Sequence, residues 1–215
     1  MLSINNVKHK ITMWELHMHK SSFESMKNFK DKYLDKSSHL KILDVGSYDS
    51  SGTSYNYGSF LNEENWEYFG MDIREGPNVD IIVPDIYSWY NIPDNSYDVV
   101  VSGQAFEHME FFWKALLEIK RVLRPGGLCC IIVPSSGPVH KNPFDCYRFL
   151  EDGLLSIANY ADFNILECYT NHNDISHPWY DSVLIAKNNY DNNELNLEKR
   201  LNNFENKLDR LLDKL

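Results

Sequence analysis

From Leu40 onward the chain alternates short apolar runs with amphipathic stretches, and this alternation constrains its fold more than any other feature. It is typical of βαβ units, in which helices cover both faces of a parallel sheet. Strands are predicted at 41–45, 67–71, 80–83, 97–102, 128–134, 163–169 and 182–187, and helices near 54–62, 111–122 and 150–160. We therefore expect an α/β fold, a Rossmann-like, mostly parallel sheet of seven strands with flanking helices.

The two ends of the chain follow other patterns. A helix is predicted from Phe23 to about Leu34, with Ser21 or Ser22 as its N-cap, and it should pack on the main domain. Near the C-terminus, apolar residues recur at heptad spacing: Leu197, Leu201, Phe204, Leu208, Leu211 and Leu215.

This heptad seam has two readings. Either residues 195–215 form a homo-oligomer, or they form an amphipathic helix docked on its own domain, and the strict spacing favours oligomerisation. The expected organisation is an N-terminal helical segment or lid (1–39), a ligand-binding domain (40–187), and a linker with a C-terminal helix (188–215).

Composition excludes several classes of partner. The 215 residues carry a formal net charge of −10 without a cluster of Lys and Arg, which argues against a nucleic-acid surface. No window approaches the ~20 apolar residues of a membrane span, and the N-terminus lacks an apolar leader. The four cysteines have no C-x-x-C spacing, so a reducing cytoplasm is the simplest setting. A small-molecule partner fits this chain best.

Acidic residues end the first strands of the predicted sheet. Asp44 is followed by Gly46 in a turn where backbone N–H groups can approach a charged ligand. Asp72 ends the second strand, where Rossmann-like folds place the carboxylate that binds ribose hydroxyls. Asp85 follows the third strand and could accept a hydrogen bond from an adenine amino group. Each signal alone is weak, but together they indicate a nucleotide-type ligand.

Ordered motifs extend this pattern: Leu43–Gly46, Gly70–Asp72, Ile92–Val100, Phe106–His108 and Val122–Gly127. Over about residues 40–187 they resemble class I S-adenosylmethionine-dependent methyltransferases, and in particular the type 11 methyltransferase domain. The stretches Ser102–Trp113, Pro138–His140 and Asp145–Phe149 resemble a bacterial subgroup associated with surface-glycan genes.

The resemblance implies S-adenosylmethionine as cofactor and S-adenosylhomocysteine as product. The implied cofactor-binding residues are Asp44, Gly46, Ser47 and Tyr48 after the first strand, Asp72 and Ile73 after the second, Asp85 and Ile86 after the third, and Ser102 and Gly103 at the fourth. Tyr48 and Ser50 stand where the family's first motif usually has glycines. The same stretch lacks the G-x-G-x-x-G pattern of nicotinamide binders, which argues against an oxidoreductase.

Candidates for acceptor chemistry follow strands four and five. His108, His140 and Asp145 are the predicted catalytic residues, and a histidine near neutrality suits the role of general base. A structural role for His108 stays open as an alternative. Arg148 and Tyr147, together with His19, are predicted to bind the acceptor.

Two further alternatives concern charge and metal. An ion pair between Asp145 and Arg148 that only braces its loop fits the sequence about equally well. His17 with His19, and His172 with Asp174 and His177, lack a recognised ligand spacing, so no metal site is predicted.

The predicted function is transfer of a methyl group to a small polar acceptor, such as a hydroxyl of a sugar, a nucleotide sugar or a glycan precursor, or less favourably an amine or a phosphoryl oxygen. The acceptor class rests on the resemblance alone. The alternative, motivated by the altered glycine turn, is a non-catalytic module that binds an adenosine ligand and assembles through its C-terminal helix.

Overall fold

The computed structural model describes residues 20–50, 56–141, 143–172 and 179–189. They form one sheet of seven strands in the order β3-β2-β1-β4-β5-β7-β6. The strands are β1 Leu40–Val45, β2 Trp66–Asp72, β3 Ile81–Ile82, β4 Tyr97–Gly103, β5 Leu123–Pro134, β6 Phe163–Thr170 and β7 Asp181–Asn188. β7 runs antiparallel to both β5 and β6, and the other pairings are parallel. The predicted fold class is confirmed.

The central strands are buried on both faces, which explains their nearly continuous apolar sequences. Leu43 and Val100 belong to one core cluster, whereas their neighbours Ile42, Val99 and Val101 belong to the cluster on the opposite face. Because side chains alternate along a strand, each central strand supplies both clusters.

Three α-helices are described: α1 Lys20–Tyr33, α2 Phe112–Val122 and α3 Glu151–Tyr160. The apolar face of α1, including Met26 and Phe29, packs on the sheet as predicted. The N-cap prediction for Ser21 and Ser22 is wrong, because α1 already begins at Lys20 and both serines are buried in its first turn. Their hydroxyls bind other elements: Ser21 Oγ donates to Asp181, and Ser22 Oγ lies 2.7 Å from the Tyr57 hydroxyl.

The predicted helix near 54–62 is also wrong over its described part, which holds only a 3-10 turn at Tyr57–Ser59. The Asn56 side chain accepts a hydrogen bond from the Ser59 N–H and caps this short turn. Among the described residues, no helix is long and apolar enough to cross a membrane. The predicted lid residues 1–19 and the heptad residues 190–215 lie outside the described residues.

Candidate functional site

The first turn of the site follows β1 and is built around Gly46. Its φ of 78° is in the left-handed region, and the N–H groups of Gly46 and Ser47 both donate to the Met71 carbonyl oxygen. A Cβ on Gly46 would lie 2.5 Å from the Cβ of Ala105 in the loop after β4. Glycine is therefore required by both the backbone conformation and the packing of two loops at this edge of the sheet.

Asp44 lies beneath this turn and is buried. Its Oδ2 accepts a hydrogen bond of 2.6 Å from the Tyr68 hydroxyl. Burial raises the pKa of Asp44 to about 7, the Tyr68 hydrogen bond opposes the shift, and the nearby charge of Asp72 adds to it. The hydrogen bond between Asp44 and Tyr68 thus links the end of β1 to β2.

Ser47 and Tyr48 connect this turn to the loop after β2. Ser47 Oγ donates to the Asn78 carbonyl over 2.6 Å. The Tyr48 ring packs against Gly76, where a Cβ would lie 2.2 Å from the ring, and the Arg74 guanidinium stacks 3.9 Å above its centre. The bulky residue at the family's usual glycine position therefore joins two loops.

Asp72 ends β2 and holds the start of the following loop. Its Oδ1 accepts from the N–H groups of Ile73 and Arg74, at 2.8 Å and 3.3 Å, and its Oδ2 accepts from the Tyr48 N–H at 3.4 Å. These N–H bonds fix the orientation of the carboxylate. The side chain stays 13% exposed, so its oxygens can also accept from hydroxyl groups of a ligand.

Both apolar and polar side chains follow β2 and β3 at this edge of the sheet. Ile73 is 53% exposed beside Asp72. Asp85 is exposed after β3 and accepts from the Tyr87 N–H, whereas Ile86 is partly buried against the core.

At the end of β4, Ser102 and Gly103 face inward. Ser102 is buried and its hydroxyl donates to the Val45 carbonyl over 2.8 Å, which ties β4 to β1. A Cβ on Gly103 would lie 2.0 Å from the Tyr57 hydroxyl, so protein atoms fill that space. The predicted contacts of Ser102 and Gly103 with the cofactor stay predictions.

The loops after β4 and β5 meet through two histidines. His108 ends a 3-10 turn at Phe106–His108, and its ring lies 4.9 Å from the ring of His140, centre to centre. His108 Nδ1 lies 2.6 Å from the Phe144 carbonyl oxygen. Burial lowers the pKa of His108, and this hydrogen bond opposes the shift. The structure therefore brings together two predicted catalytic residues that are 32 positions apart in sequence.

Asp145 and Arg148 form the ion pair that braces this loop. The guanidinium donates to both oxygens of Asp145, at 2.6 Å and 3.0 Å, and to the carbonyls of Tyr147 and Pro138. Asp145 also accepts from the His140 N–H over 2.7 Å. Burial alone would raise the pKa of Asp145, but the hydrogen bonds from Arg148 and His140 hold it below its ordinary value. These contacts favour the bracing alternative for this pair.

The other predicted acceptor residues are less informative. The Tyr147 hydroxyl donates to the Glu110 carbonyl, and its ring packs on Phe112. His19 lies outside the described residues. Direct acceptor binding by Arg148, Tyr147 and His19 stays a prediction.

Glu107 was missed in the sequence, although it stands beside His108 in the quoted motif. It is fully buried, and its carboxylate oxygens have no hydrogen-bond partner among the described residues. Burial raises its pKa to about 8. An ionisable residue just after an apolar strand was the available signal, but sequence does not show that the side chain turns into the protein.

Comparison with known proteins shows what this chain is similar to. Residues 43–131 match the family model described as a methyltransferase domain, a segment that runs from β1 into β5 and includes Asp44, Asp72 and His108. No curated protein matches the chain in sequence. The family match confirms the predictions of a methyltransferase and of S-adenosylmethionine as its cofactor.

Solved structures agree on the fold. The putative methyltransferase of Bacillus halodurans is 12% identical with a TM-score of 0.59, over 79% of this chain and 99% of that chain. The 1,6-didemethyltoxoflavin-N1-methyltransferase of Burkholderia thailandensis, solved with S-adenosylhomocysteine, is 15% identical with a TM-score of 0.58, over 79% and 84%. The [4+2]-cyclase SpnF is 17% identical with a TM-score of 0.60, over 78% and 82%. At these identities the likeness shows the fold alone, and the fold carries more than one reaction.

The residues at this edge fit the adenosine part of the cofactor. The Asp72 carboxylate offers acceptors to ribose hydroxyls, and exposed Ile73 beside it offers an apolar surface to a purine ring. Gly46 keeps the first turn tight between β1 and the loop after β4. Asp44 is instead hydrogen-bonded to Tyr68, so its predicted approach to the methionine part stays a prediction.

Proposed function

We propose that this protein methylates an oxygen of a small polar acceptor, such as a hydroxyl of a sugar, a nucleotide sugar or a glycan precursor. Bound S-adenosylmethionine supplies an electrophilic methyl group, which leaves as the sulfonium becomes a neutral thioether. The protein then has to bind the acceptor in line with that methyl and accommodate the proton that the hydroxyl loses.

One observation carries the proposal. His108 and His140 face each other where the loops after β4 and β5 meet, at the same edge of the sheet as Asp72. Ligands of open α/β sheets bind at the carboxyl ends of the parallel strands, so the cofactor and the two imidazoles would share one cleft. The imidazoles of this region and the carboxylate of Asp145 could hydrogen-bond a polar acceptor.

The acceptor class has further support only from the resemblance of Pro138–His140 and Asp145–Phe149 to the surface-glycan subgroup. The partly buried ion pair of Asp145 and Arg148 braces the second of these stretches. We propose that this braced loop forms one wall of the acceptor pocket and that His108, His140 and Asp145 act there.

Cofactor binding tests the first half of the proposal. Calorimetric titration with S-adenosylhomocysteine should show binding to the wild-type protein and none to Asp72→Ala, because the ribose would lose its carboxylate partner. Glu75→Ala is the matched control, since it removes the same charge from an exposed position on the same loop. A silent titration of folded wild-type protein would overturn the proposal.

Turnover tests the second half. Nucleotide sugars and glycan precursors should be screened with a methyl-labelled donor, and label should appear on an acceptor oxygen. His140→Ala should then reduce turnover and leave the affinity for S-adenosylhomocysteine unchanged. Binding of S-adenosylhomocysteine without turnover on any acceptor of this class would favour the non-catalytic module.

A further inference from the structure

Three potential metal ligands meet at the histidine pair. Glu107, His108 and His140 each offer one ligand atom, and these atoms all lie within 4.8 Å of one another. No metal site was expected from the sequence, because no recognised ligand spacing appears in it, and His108 and His140 are 32 positions apart. Only the fold of the loops after β4 and β5 creates the grouping.

The environment of the Glu107 carboxylate requires an explanation. Its side chain is 0% exposed, and neither carboxylate oxygen has a hydrogen-bond partner among the described residues. A buried ionised carboxylate without a partner is strongly destabilised, so a proton or a cation must accompany it. Its Oε1 lies 3.7 Å from His108 Nε2, which places the two side chains around a common point.

His108 is held in the tautomer that a metal ligand needs. A carbonyl oxygen can only accept, so the 2.6 Å contact with Phe144 O places the proton on Nδ1. Nε2 then presents a lone pair 3.7 Å from Glu107 Oε1, so that a proton or a cation between the two atoms would satisfy both. Histidines that bind metals commonly donate their other N–H to a backbone carbonyl in this way.

His140 lies between a carboxylate and a guanidinium, because its Nδ1 is also 3.5 Å from Arg148 Nη2. Its Nδ1 lies 3.7 Å from Asp145 Oδ2, and its ring packs 4.6 Å from the Trp179 ring, centre to centre. Arg148 is neutralised by its bidentate pair with Asp145. The nearby carboxylates of Asp181 and Glu107 then favour a cation in this region.

We propose that Glu107, His108 and His140 bind a divalent transition-metal ion. Two imidazoles and one carboxylate are a ligand set for Zn²⁺, Fe²⁺, Co²⁺ or Mn²⁺, whereas Mg²⁺ and Ca²⁺ prefer sites built of oxygen ligands. Ligands about 2.1 Å from a tetrahedral ion are about 3.4 Å apart, so the cluster would close by roughly 1 Å on binding.

This assignment deepens the proposed function and rests on it for its catalytic meaning. A metal with three protein ligands keeps a position open for an acceptor hydroxyl and lowers the pKa of that hydroxyl. His108 and His140 would then be ligands of the ion, and neither would be the general base.

Metal binding can be measured without the methyl donor. The full-length chain, free of any affinity tag and stripped with a chelator, should be titrated with Co²⁺ alone and followed by visible d–d absorption and calorimetry. We expect a saturable site with one bound ion, and displacement of Co²⁺ by Zn²⁺ should abolish the absorption. Loss of a ligand in His108→Gln, His140→Gln or Glu107→Gln should weaken binding by at least the roughly 10–100-fold that loss of an outer-shell partner costs.

The control is His39→Gln, because His39 is exposed on the segment before β1 and should leave Co²⁺ affinity unchanged. Circular dichroism checks that each variant is folded, and three separate ligand variants keep the test valid if one fails to fold. Wild-type protein without a saturable Co²⁺ site, or equal affinity in folded ligand variants, overturns the metal site. Binding of S-adenosylhomocysteine is measured on the same samples, so this failure is distinguishable from failure of the proposed function.

Discussion

At the scale of single residues, three buried carboxyl groups differ in the hydrogen-bond partner that each one has. Asp145 has a guanidinium partner, Asp44 has a tyrosine hydroxyl, and Glu107 has neither among the described residues. Accordingly the pKa of Asp145 is lowered, whereas burial raises the pKa of Asp44 to about 7 and that of Glu107 to about 8. The guanidinium partner lowers the pKa of Asp145, whereas deeper burial dominates at Asp44 and Glu107.

Asp44 should make stability depend on pH. Its pKa is about 7 in the folded protein and about 3.9 in an unfolded chain, so the folded state holds the proton more tightly between these values. The free energy of unfolding should therefore fall as pH rises from about 4 to about 7, with a contribution from this group of up to about 1.4 kcal/mol per pH unit. Asp44→Asn keeps an acceptor for Tyr68 and should remove this contribution.

Urea denaturation at several pH values, with a chelator present, measures the effect. Glu107 contributes a slope of the same sign in both proteins, so the difference between wild type and Asp44→Asn isolates Asp44. Asp31→Asn is the control, since its side chain is 70% exposed. If the wild-type and Asp44→Asn slopes coincide, Asp44 is ionised throughout and the burial argument is wrong.

At the scale of elements, the sequence predicted what depends on periodicity. The strands were found within a few residues because both faces of the central strands are apolar, and α2 and α3 were found from their amphipathic patterns. Ser21 and Ser22 resembled an N-cap, yet they lie in the first turn of α1 because Asp181 and Tyr57 bind their hydroxyls. Such tertiary partners cannot be identified from local sequence.

The residues of the candidate site also divide into those that the sequence predicted and those that it did not. Asp72 was predictable because position at the end of β2 alone places it at the edge of the sheet. The Glu107, His108 and His140 cluster was not, because its existence depends on how the loops after β4 and β5 fold against each other. The hydrogen bonds of Arg148 to Asp145 and to two carbonyls likewise depend on the fold of this loop, and they do not exclude acceptor binding by Arg148.

The turn after β1 gives a test at this scale. Gly46→Ala should destabilise the protein by about 1–2 kcal/mol from its left-handed backbone alone, and more from the contact with Ala105. Adding Ala105→Gly should recover the steric part and leave the backbone part. Thermal and urea denaturation of the single and double variants measure the two parts.

Gly153→Ala is the matched control, because the position lies in α3 with nothing within 4 Å of the added Cβ. It should stabilise the protein by about 0.5–1 kcal/mol, since alanine favours a helix. Equal effects of alanine at Gly46 and Gly153 would contradict the role assigned to the first turn.

At the scale of the whole molecule, the parallel pairings and the antiparallel pairings of the described strands lie in different parts of the sheet. The parallel strands β1, β2 and β4 end at the edge that holds Asp72 and the histidine pair, and the antiparallel β7 lies between β5 and β6. α1 is fixed to this frame through Ser21 and Asp181, and Gln104 Nε2 donates to the same carboxylate over 3.0 Å. Helix α1 and the loop that leads into the histidine pair therefore contact the same carboxylate, that of Asp181.

The heptad seam beyond Asn189 supplies the last prediction. If it assembles copies of the chain, Leu208→Asp should convert an oligomer to a monomer, because a charge in an apolar seam is strongly unfavourable. Asn203→Asp is the matched control, since it adds the same charge off the seam. Light scattering after size-exclusion chromatography gives the mass, and affinity for S-adenosylhomocysteine should be unchanged in both variants.

The two readings of the seam lead to different outcomes. For a helix docked on its own domain, wild type and Leu208→Asp would both be monomers, and Leu208→Asp would have the lower thermal midpoint. For an oligomerisation helix, the midpoint of wild type would rise with protein concentration, as mass action requires, and that of Leu208→Asp would not. A wild-type monomer whose stability is insensitive to Leu208→Asp would contradict both, and would leave the apolar spacing without a structural role.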